Sequence, residues 1–279
     1  MSRRPNGAEM AARLVAIFAI VEETNPCGVR QAFYQTIVRG LMDKTEADYD
    51  KVQRAIVKMR RDGRMPYGWI VDGTRWMHKP RSFSSLAQAV QRTAESYRRA
   101  VWDDQPVRVE IWLEKQGLAG TILPITAEFD VPLYVSRGFS SLTYLAEAAE
   151  DIEACGKPTF IYHLGDHDEW GRDAGAHIER ELRRLAPSAK IYFERLAVTV
   201  QQIADLNLPT RPLKSAGKLR ERFEAEHGGT GAVELDAVHP DTLRALVRDA
   251  IEQHIDFRQL EVLRVAEDEE RRILSHFKL

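Results

Sequence analysis

Cysteine is scarce in this chain, which has only two in 279 residues, Cys27 and Cys155. Two thiols cannot form a framework of several disulfides, and they cannot supply a zinc site made of four cysteines. The sequence therefore excludes a disulfide-stapled scaffold and a four-cysteine zinc module. It indicates a reducing compartment.

Long apolar runs and nucleotide-binding loops are missing as well. The longest apolar run, near Leu14 to Val21, is too short to span a bilayer, and no signal peptide is apparent. The glycine and lysine in GKLRERF, near Gly217, lack the GxxxxGK spacing of a phosphate-binding loop. We find no internal repeat or low-complexity segment, and we expect a globular cytoplasmic protein without membrane contact.

The small net charge of −2 hides an uneven distribution. Residues 1–104 carry 18 lysines and arginines against 12 acids, whereas residues 105–279 carry 22 against 30. A basic part beside an acidic part suggests one domain that meets nucleic acid and another that holds a cation. Asp103-Asp104-Gln105-Pro106 marks the boundary, so we predict two domains, 1–104 and 105–279.

The first domain begins with three predicted helices. The first, Ala8 to Glu23, has apolar residues at helical spacing, and Asn25-Pro26-Cys27-Gly28 ends it. The second runs from about Val29 to Leu41. The third begins after Thr45, with two acids in its first turn, and ends near Arg61.

The third predicted helix has one apolar and one basic face. The apolar face consists of Val52, Ala55, Ile56 and Met59, and the basic face of Lys51, Arg54, Lys58 and Arg61, here called the basic stripe. A row of charges is usually only a solvated surface. However, the following RMPYGWIVDGTRWMHKP predicts a hairpin with its turn at Asp72-Gly73. Three helices and a hairpin form a winged helix, whose third helix typically enters the major groove, so we predict that the basic stripe binds DNA.

Acidic residues follow two predicted strands of the second domain. RVEIWLEK ends one strand at Glu114, and FIYHLGDHDEWG ends another at Asp166 and Asp168. Functional groups gather beyond the carboxyl ends of parallel strands, so these carboxylates should converge. Their oxygens suit Mg²⁺, and we predict all three as its ligands. A structural alternative is that Asp166 and Asp168 cap the helix that follows Gly171.

Three neighbouring residues are weaker candidates for metal ligands. His167 should point away from the face that Asp166 and Asp168 share, and His163 is better explained as a packed or hydrogen-bonded side chain. Glu110 could share a strand face with Glu114.

The rest of the second domain alternates strands and helices. Strands at PLYV and IYFERLAVT, with helices at Ser141 to Ala154 and Ala174 to Leu185, predict a largely parallel sheet. A helix from about Phe83 to Trp102 joins the domains. Residues 201–235 are poorly periodic, and a helical tail begins at Asp241. The predicted fold class is α/β, with an N-terminal winged helix followed by this sheet domain.

The acidic motif resembles the Toprim domain, the metal-binding module of topoisomerases, bacterial primases and certain nucleases. The matching residues are Glu114, Asp166, Asp168 and Gly171, together with the turn Ser136-Arg137-Gly138. Primases and type IA topoisomerases commonly carry cysteine zinc modules, which this chain lacks.

GVRQAFYQ resembles the motif of the CAP-like winged helix in the A subunit of topoisomerase VI and in the related meiotic double-strand-break transesterases. In that family an arginine four residues before a tyrosine accompanies the nucleophile, which implies Tyr34 as the nucleophile and Arg30 as its partner. A phenol with a pKa of about 10 needs nearby positive charge to attack at neutral pH, and Arg30 lies one helical turn away. The alternative is that Tyr34 is a core aromatic beside Phe33.

This resemblance implies a type IIB, A-subunit-like topoisomerase that cleaves DNA with Mg²⁺ through a 5′-phosphotyrosyl intermediate. The implied partners are double-stranded DNA in the nucleoid, a second copy of the chain, and a separate ATPase B-type subunit. We expect each tyrosine to face the metal site of the partner chain. Two alternatives stay open: a Toprim nuclease that uses water, and a non-catalytic DNA-binding protein.

Overall fold

The computed structural model describes residues 7–72, 80–213 and 217–276. Within these ranges the fold is mixed α/β. The strands are β1 (Arg108–Leu113), β2 (Leu133–Val135), β3 (Thr159–Leu164) and β4 (Ile191–Ala197). The helices before the sheet are α1 (Gly7–Thr24), α2 (Val29–Val38), α3 (Glu46–Arg61) and α4 (Leu86–Ser96). The later helices are α5 (Ala119–Glu128), α6 (Leu142–Cys155), α7 (Glu169–Leu185), α8 (Val200–Asp205), α9 (Lys218–His227), α10 (Pro240–Glu252) and α11 (Phe257–Ser275).

The four strands are parallel in the order β2-β1-β3-β4, which confirms the prediction of a parallel sheet. β1 and β3 are the inner strands and pair from Arg108 with Thr159 to Leu113 with Leu164. Their apolar sequences follow from this position, because an inner parallel strand is covered on both faces.

Hydrophobic clusters cover both faces of the sheet. One cluster runs from Ile56 of α3 across Val109 and Ile111 of β1 to Val247 of α10. The other, which includes Trp112, lies beneath α6 and α7. The N-terminal helices therefore pack against residues far along the chain, and α2 lies beside a short 3-10 helix at Leu235–Ala237.

Helix α3 forms as its sequence predicts. The Thr45 hydroxyl caps it by accepting a backbone hydrogen bond (3.1 Å) in the first turn. Val52, Ile56 and Met59 are buried, whereas Ala55 is only partly buried. All four residues of the basic stripe are exposed, so the two-faced pattern of the helix is confirmed.

Three predicted helices have different limits in the structure. The helix that joins the predicted domains, α4, spans only Leu86–Ser96 rather than Phe83 to Trp102, because the backbone becomes extended at Tyr97. α2 ends at Val38 rather than Leu41, because Gly40 takes a left-handed conformation (φ 67°) that closes the helix. α7 begins well before the predicted Ala174, because the Asp168 side chain caps it directly.

The predicted hairpin is described only in part. Its first half contains a 3-10 helix at Tyr67–Trp69 instead of a regular strand, followed by a parallel bridge between Ile70 and Cys27. Its second half falls on residues 73–79, outside the described ranges. In the ranges that are described, no helix combines the length and apolar character needed to cross a membrane.

Candidate active site

The carboxyl ends of β1 and β3 lie side by side at the point where the strand order of the sheet reverses. β2 lies on one side of β1 while β3 and β4 lie on the other, so the connections after β1 and β3 diverge and open a crevice. Glu114 directly follows β1, and Asp166 follows β3. The Asp166 N–H donates to Glu114 Oε2 (3.0 Å), so the two acids lie side by side.

Two glycines make room for the Glu114 carboxylate. A Cβ atom on Gly165 would lie 2.6 Å from Glu114 Oε2, and one on Gly171 would lie 3.1 Å from it. Any larger residue would have to displace the carboxylate. Both glycines therefore shape the acid site.

The Glu114 carboxyl group is easily protonated. Burial and the charge of Asp166 together raise its pKa to about 7, although the Asp166 N–H and nearby cations act in the opposite direction. This shift is typical of close carboxylates with too little positive charge between them. Glu114 and Asp166 therefore fit a hard cation such as Mg²⁺, which prefers oxygen ligands.

Asp168 is held by other contacts. Its Oδ1 accepts a hydrogen bond from the Gly171 N–H (2.8 Å), and its Oδ2 lies 3.2 Å from Arg211. Capping, the structural alternative, is thus confirmed for Asp168, which would reach a metal only by giving up a contact. No group of three or more potential His, Cys, Asp or Glu ligands is found in the described ranges, and Mg²⁺ binding stays a prediction.

A second acid pair, Glu234 and Asp236, faces the first and was not predicted. Lys115 bridges the two pairs, with its Nζ 2.8 Å from Asp166, 2.8 Å from Asp236 and 3.2 Å from Glu234. The Leu235 N–H also donates to Asp166 Oδ1 (2.8 Å). We call Lys115, Asp166, Glu234 and Asp236 the ionic cluster.

Glu234 is the acid of this cluster that has the most positively charged neighbours. It lies 2.8 Å from Arg30, 2.9 Å from Lys44, 3.2 Å from Lys115 and 3.6 Å from Arg211. Burial by itself would raise the pKa of Glu234, but Lys115 and the surrounding hydrogen bonds lower it far below its usual range. Glu234 is therefore ionised at neutral pH.

Tyr34 lies against this carboxylate. Its side chain is 2% exposed and meets Phe33 edge-on, with ring centroids 5.8 Å apart. Burial raises the pKa of Tyr34, and a hydrogen bond to Glu234 together with the charge of Glu234 raises it further. The hydroxyl is thus protonated at neutral pH. Tyr34 is both a packed aromatic and a neighbour of the ionic cluster.

Arg30 lies near Tyr34, as the sequence suggests, but its guanidinium also pairs with two acids. Its guanidinium pairs with Glu234 (2.8 Å) and Asp236 (3.8 Å), and its Cζ lies 5.8 Å from the Tyr34 ring centroid. Arg30 lowers the pKa of Tyr34, but burial and Glu234 outweigh it. Arg30 therefore acts on the phenol in the expected direction, and its role in activating Tyr34 stays a prediction.

A series of contacts links Tyr34 to the acid site. Tyr34 reaches Glu234, Glu234 reaches Lys115, and Lys115 reaches Asp166. The resemblance placed Tyr34 opposite the metal site of a partner chain. In this structure Tyr34 lies beside the acids of its own chain.

Two of the weaker candidates, Glu110 and His167, are buried and hydrogen-bonded to other residues of the fold. The Glu110 carboxylate is buried and accepts hydrogen bonds from Arg108 (2.8 Å) and Trp112 (2.9 Å). His167 is buried and hydrogen-bonds Thr230 (3.0 Å). Neither residue contributes to the ionic cluster.

The basic stripe remains at the surface of α3. Lys51 pairs with Asp48 (2.7 Å), and Lys58 lies 3.8 Å from Asp62, both within or at the end of the same helix. Such exposed pairs are weak, so the four cations can turn to another partner.

Three residues of the ionic cluster were not predicted from the sequence. Glu234 lies in the poorly periodic segment 201–235, Asp236 directly follows that segment, and Lys115 directly follows Glu114. The spacing Glu-x-Asp at 234–236 repeats the acid-x-acid pattern at 166–168, which was the available signal.

The chain matches no protein-family model and no curated protein.

Proposed function

We propose that this chain is a Mg²⁺-dependent, DNA-cleaving transesterase similar to the A subunit of type IIB topoisomerases. In this proposal residues 1–104 form a winged-helix domain and residues 105–279 a Toprim domain. The supporting observation is the ionic cluster, which joins Tyr34 through Glu234 and Lys115 to Asp166. A nucleophile next to a phosphoryl-binding acid site is what transesterification requires.

In the proposed step the Tyr34 oxygen bonds to phosphorus while the bond from phosphorus to the 3′ oxygen breaks. A 5′-phosphotyrosyl linkage forms, and the 3′ oxygen takes a proton from solvent. Glu234 is the group within reach of the Tyr34 proton, but the cations around it make it a weak base. DNA phosphates would compete for Arg30 and Lys44, whose side chains are 59% and 39% exposed, and so raise the basicity of Glu234.

Bound Mg²⁺ would supply positive charge at the transferred phosphoryl group. Glu114 and Asp166 are the residues that would hold it, with Asp168 joining if it released Arg211 or its capping contact. Lys115 keeps Asp166 in position through their 2.8 Å contact.

The proposed partner is double-stranded DNA, held by the basic stripe through its phosphates. A homodimer would supply two tyrosines for a double-strand break, because a twofold axis relates the two strands of a duplex. An ATPase B-type subunit belongs to the same proposal and rests on resemblance alone.

Covalent trapping tests the proposal. The chain is incubated with plasmid DNA with and without Mg²⁺, denatured, and analysed for protein linked to 5′ ends. We expect a Mg²⁺-dependent adduct that Tyr34→Phe abolishes and the matched control Tyr49→Phe retains. Asp166→Ala should abolish cleavage but leave DNA affinity largely intact, because phosphate contacts supply most of the binding. Unimpaired cleavage by Asp166→Ala would refute the metal mechanism.

A second candidate is a metal-dependent nuclease in which water attacks. It is favoured by the burial of Tyr34, which is 2% exposed and must move to reach a phosphodiester. Mg²⁺-dependent cleavage without an adduct would select this candidate. DNA binding with neither product would leave a non-catalytic DNA-binding protein.

Mixing two inactive variants tests whether the site is shared between chains. Because Tyr34 and Asp166 join the same cluster in one chain, a mixture of Tyr34→Phe and Asp166→Ala chains should stay inactive. Recovery of single-strand nicking would show instead that each tyrosine works at the metal site of its partner.

A further inference from the structure

A separate cavity lies behind the acid site, between α7, α9 and the outer part of the sheet. Its volume is about 310 Å³, at the lower end of the ~300–1,000 Å³ typical of small-molecule sites. The apolar part of its lining consists of Phe193, Leu219 and Phe223. Pockets that combine an apolar wall with a few convergent polar groups commonly bind small ligands.

One polar group of this cavity is His163. The side chain is 1% exposed, and neither ring nitrogen has a hydrogen-bond partner in the described part of the chain. Phe193 stacks near the ring, with centroids 5.8 Å apart. A Cβ atom on Gly175 would lie 3.2 Å from His163 Nδ1, so the glycine leaves that side of the ring uncrowded. Buried polar atoms rarely lack partners, and these face a cavity that could supply one.

Two arginines of the lining lack carboxylate partners. Arg172 is partly buried and forms no ion pair within the described ranges. In the described part of the chain Arg195 donates to four backbone carbonyl oxygens, those of Val198 (3.0 Å), Gly165 (2.8 Å), Gly171 (3.4 Å) and Asp166, and to no carboxylate. Both guanidinium groups line the same cavity, so an anion bound there would be attracted by two positive charges.

Four acids also line the cavity, Glu169, Asp173, Glu179 and Glu226, and the charge of Glu226 partly compensates that of Arg172. Glu226 pairs with Arg222 (2.9 Å), and Glu179 pairs with Arg183 (2.9 Å). Asp173, next to Arg172 on α7, adds negative charge to the same cavity. An anionic ligand should therefore bind more tightly when Asp173 is neutral.

We propose that this cavity binds a small phosphorylated ligand. Arg172 and Arg195 would hold the phosphoryl group, since guanidinium donors match phosphate oxygens in charge and geometry. The neutral His163 ring would add a hydrogen bond, and the three apolar residues would pack against the body of the ligand. Either a free nucleotide or the 5′-phosphate end of a nucleic-acid strand carries this chemistry.

The position of the cavity makes it relevant to the neighbouring acids. A Cβ atom on Gly165 would lie 2.6 Å from Glu114 Oε2 and 2.7 Å from His163 Cε1. Only the width of one glycine therefore separates the cavity from the acid site. The proposal itself does not require that the chain cleave DNA.

Isothermal titration of the full chain tests the proposal with three probes: AMP, an oligonucleotide with a 5′-phosphate, and the same oligonucleotide without it. We expect AMP or the phosphorylated oligonucleotide to bind, and the one that binds more tightly identifies the source. Arg172→Met should raise the Kd about tenfold or more, because it removes a charge-assisted hydrogen bond. Asp173→Asn should lower the Kd.

The two variants control for each other, because they occupy adjacent positions of α7 and change charge in opposite directions. Their circular dichroism spectra verify that both are folded. The proposal is overturned if no phosphorylated probe binds at millimolar concentration, or if binding ignores both substitutions. It is also overturned if the two effects are reversed, which would indicate a cation site.

Discussion

Replacing Glu234 by glutamine tests whether the ionic cluster holds the N-terminal helices against the sheet. Glu234 contacts Arg30 and Lys44 from the first 104 residues, and Lys115 and Arg211 from the rest. Glutamine preserves the shape of the side chain but removes its charge. Four cations would then surround a neutral group. The Lys115 and Arg211 side chains are only 20% and 16% exposed, so water screens them poorly.

The expected loss follows from this burial. Removing one member of a buried ion pair typically costs ~3–5 kcal/mol of the free energy of unfolding. Lys115 keeps two other acids, and Arg30 and Lys44 reach solvent, so we expect the lower end, a loss of ~3 kcal/mol.

The pH dependence has a definite sign. The pKa of Glu234 is depressed in the folded chain, so its contribution is complete above the carboxylate pKa of the unfolded chain, about 4.3. The contribution is lost as the pH falls below that value towards the folded pKa. The stability gap between the natural chain and Glu234→Gln should therefore be constant from about pH 8 to 5 and shrink below about pH 4.

Urea unfolding followed by circular dichroism measures this gap. The matched control is Glu224→Gln on α9, which breaks an exposed pair with Arg220 (2.8 Å, side chains 41% and 47% exposed). It should change stability by no more than ~0.5 kcal/mol. A loss below ~1 kcal/mol for Glu234→Gln at neutral pH would refute the reasoning, since a buried partner is expected to cost several times more. A gap that stays unchanged at about pH 3 would refute the assigned pKa direction.

Two further predictions concern DNA binding and the acid site. Alanine at the first three positions of the basic stripe should weaken binding to unrelated DNA sequences alike and flatten its salt dependence, as measured by fluorescence anisotropy. An unchanged affinity and salt slope would leave the stripe as a solvated surface. Gly165→Ala should destabilise the fold by ~1–3 kcal/mol and abolish cleavage, because its Cβ would lie 2.6 Å from Glu114 Oε2. Gly117→Ala, whose Cβ would meet nothing within 4 Å, is the control, and equal effects of both substitutions would contradict the steric explanation.

Local patterns predicted much of the fold because the forces that fix these elements are local. The cap at Thr45 and the apolar spacing of α3 lie within one segment, and so do the apolar runs of β1 and β3. The errors were local too. Gly40 can end a helix and Asp168 can begin one, but periodicity alone does not weigh these signals against a continuing apolar pattern.

The site was only half visible in the sequence because half of it is made of distant contacts. Strand ends can be read from apolar runs, and parallel topology brings Glu114 and Asp166 together. No pattern connects Arg30 to Glu234, which are separated by 204 positions and come from a helix and an irregular segment. Such contacts depend on how the N-terminal helices dock onto the sheet.

Arg30 and Tyr34 show that a correctly predicted neighbour does not by itself determine the pKa of a side chain. Helical spacing places a cation near a phenol, and that pair considered alone predicts a lowered pKa for the phenol. When the N-terminal helices pack against the sheet, Glu234 lies close to both residues. It pairs with the Arg30 guanidinium at 2.8 Å, and its negative charge raises the pKa of Tyr34. Burial raises the pKa of Tyr34 by more than Glu234 does. The net effect is therefore a raised pKa, not the lowered pKa that Arg30 alone would give. In the proposed function, an anion that draws Arg30 and Lys44 away from Glu234 would make Glu234 a stronger base toward the Tyr34 proton. A DNA phosphate has the charge to do so, and the proposed function therefore predicts that attack by Tyr34 follows DNA binding.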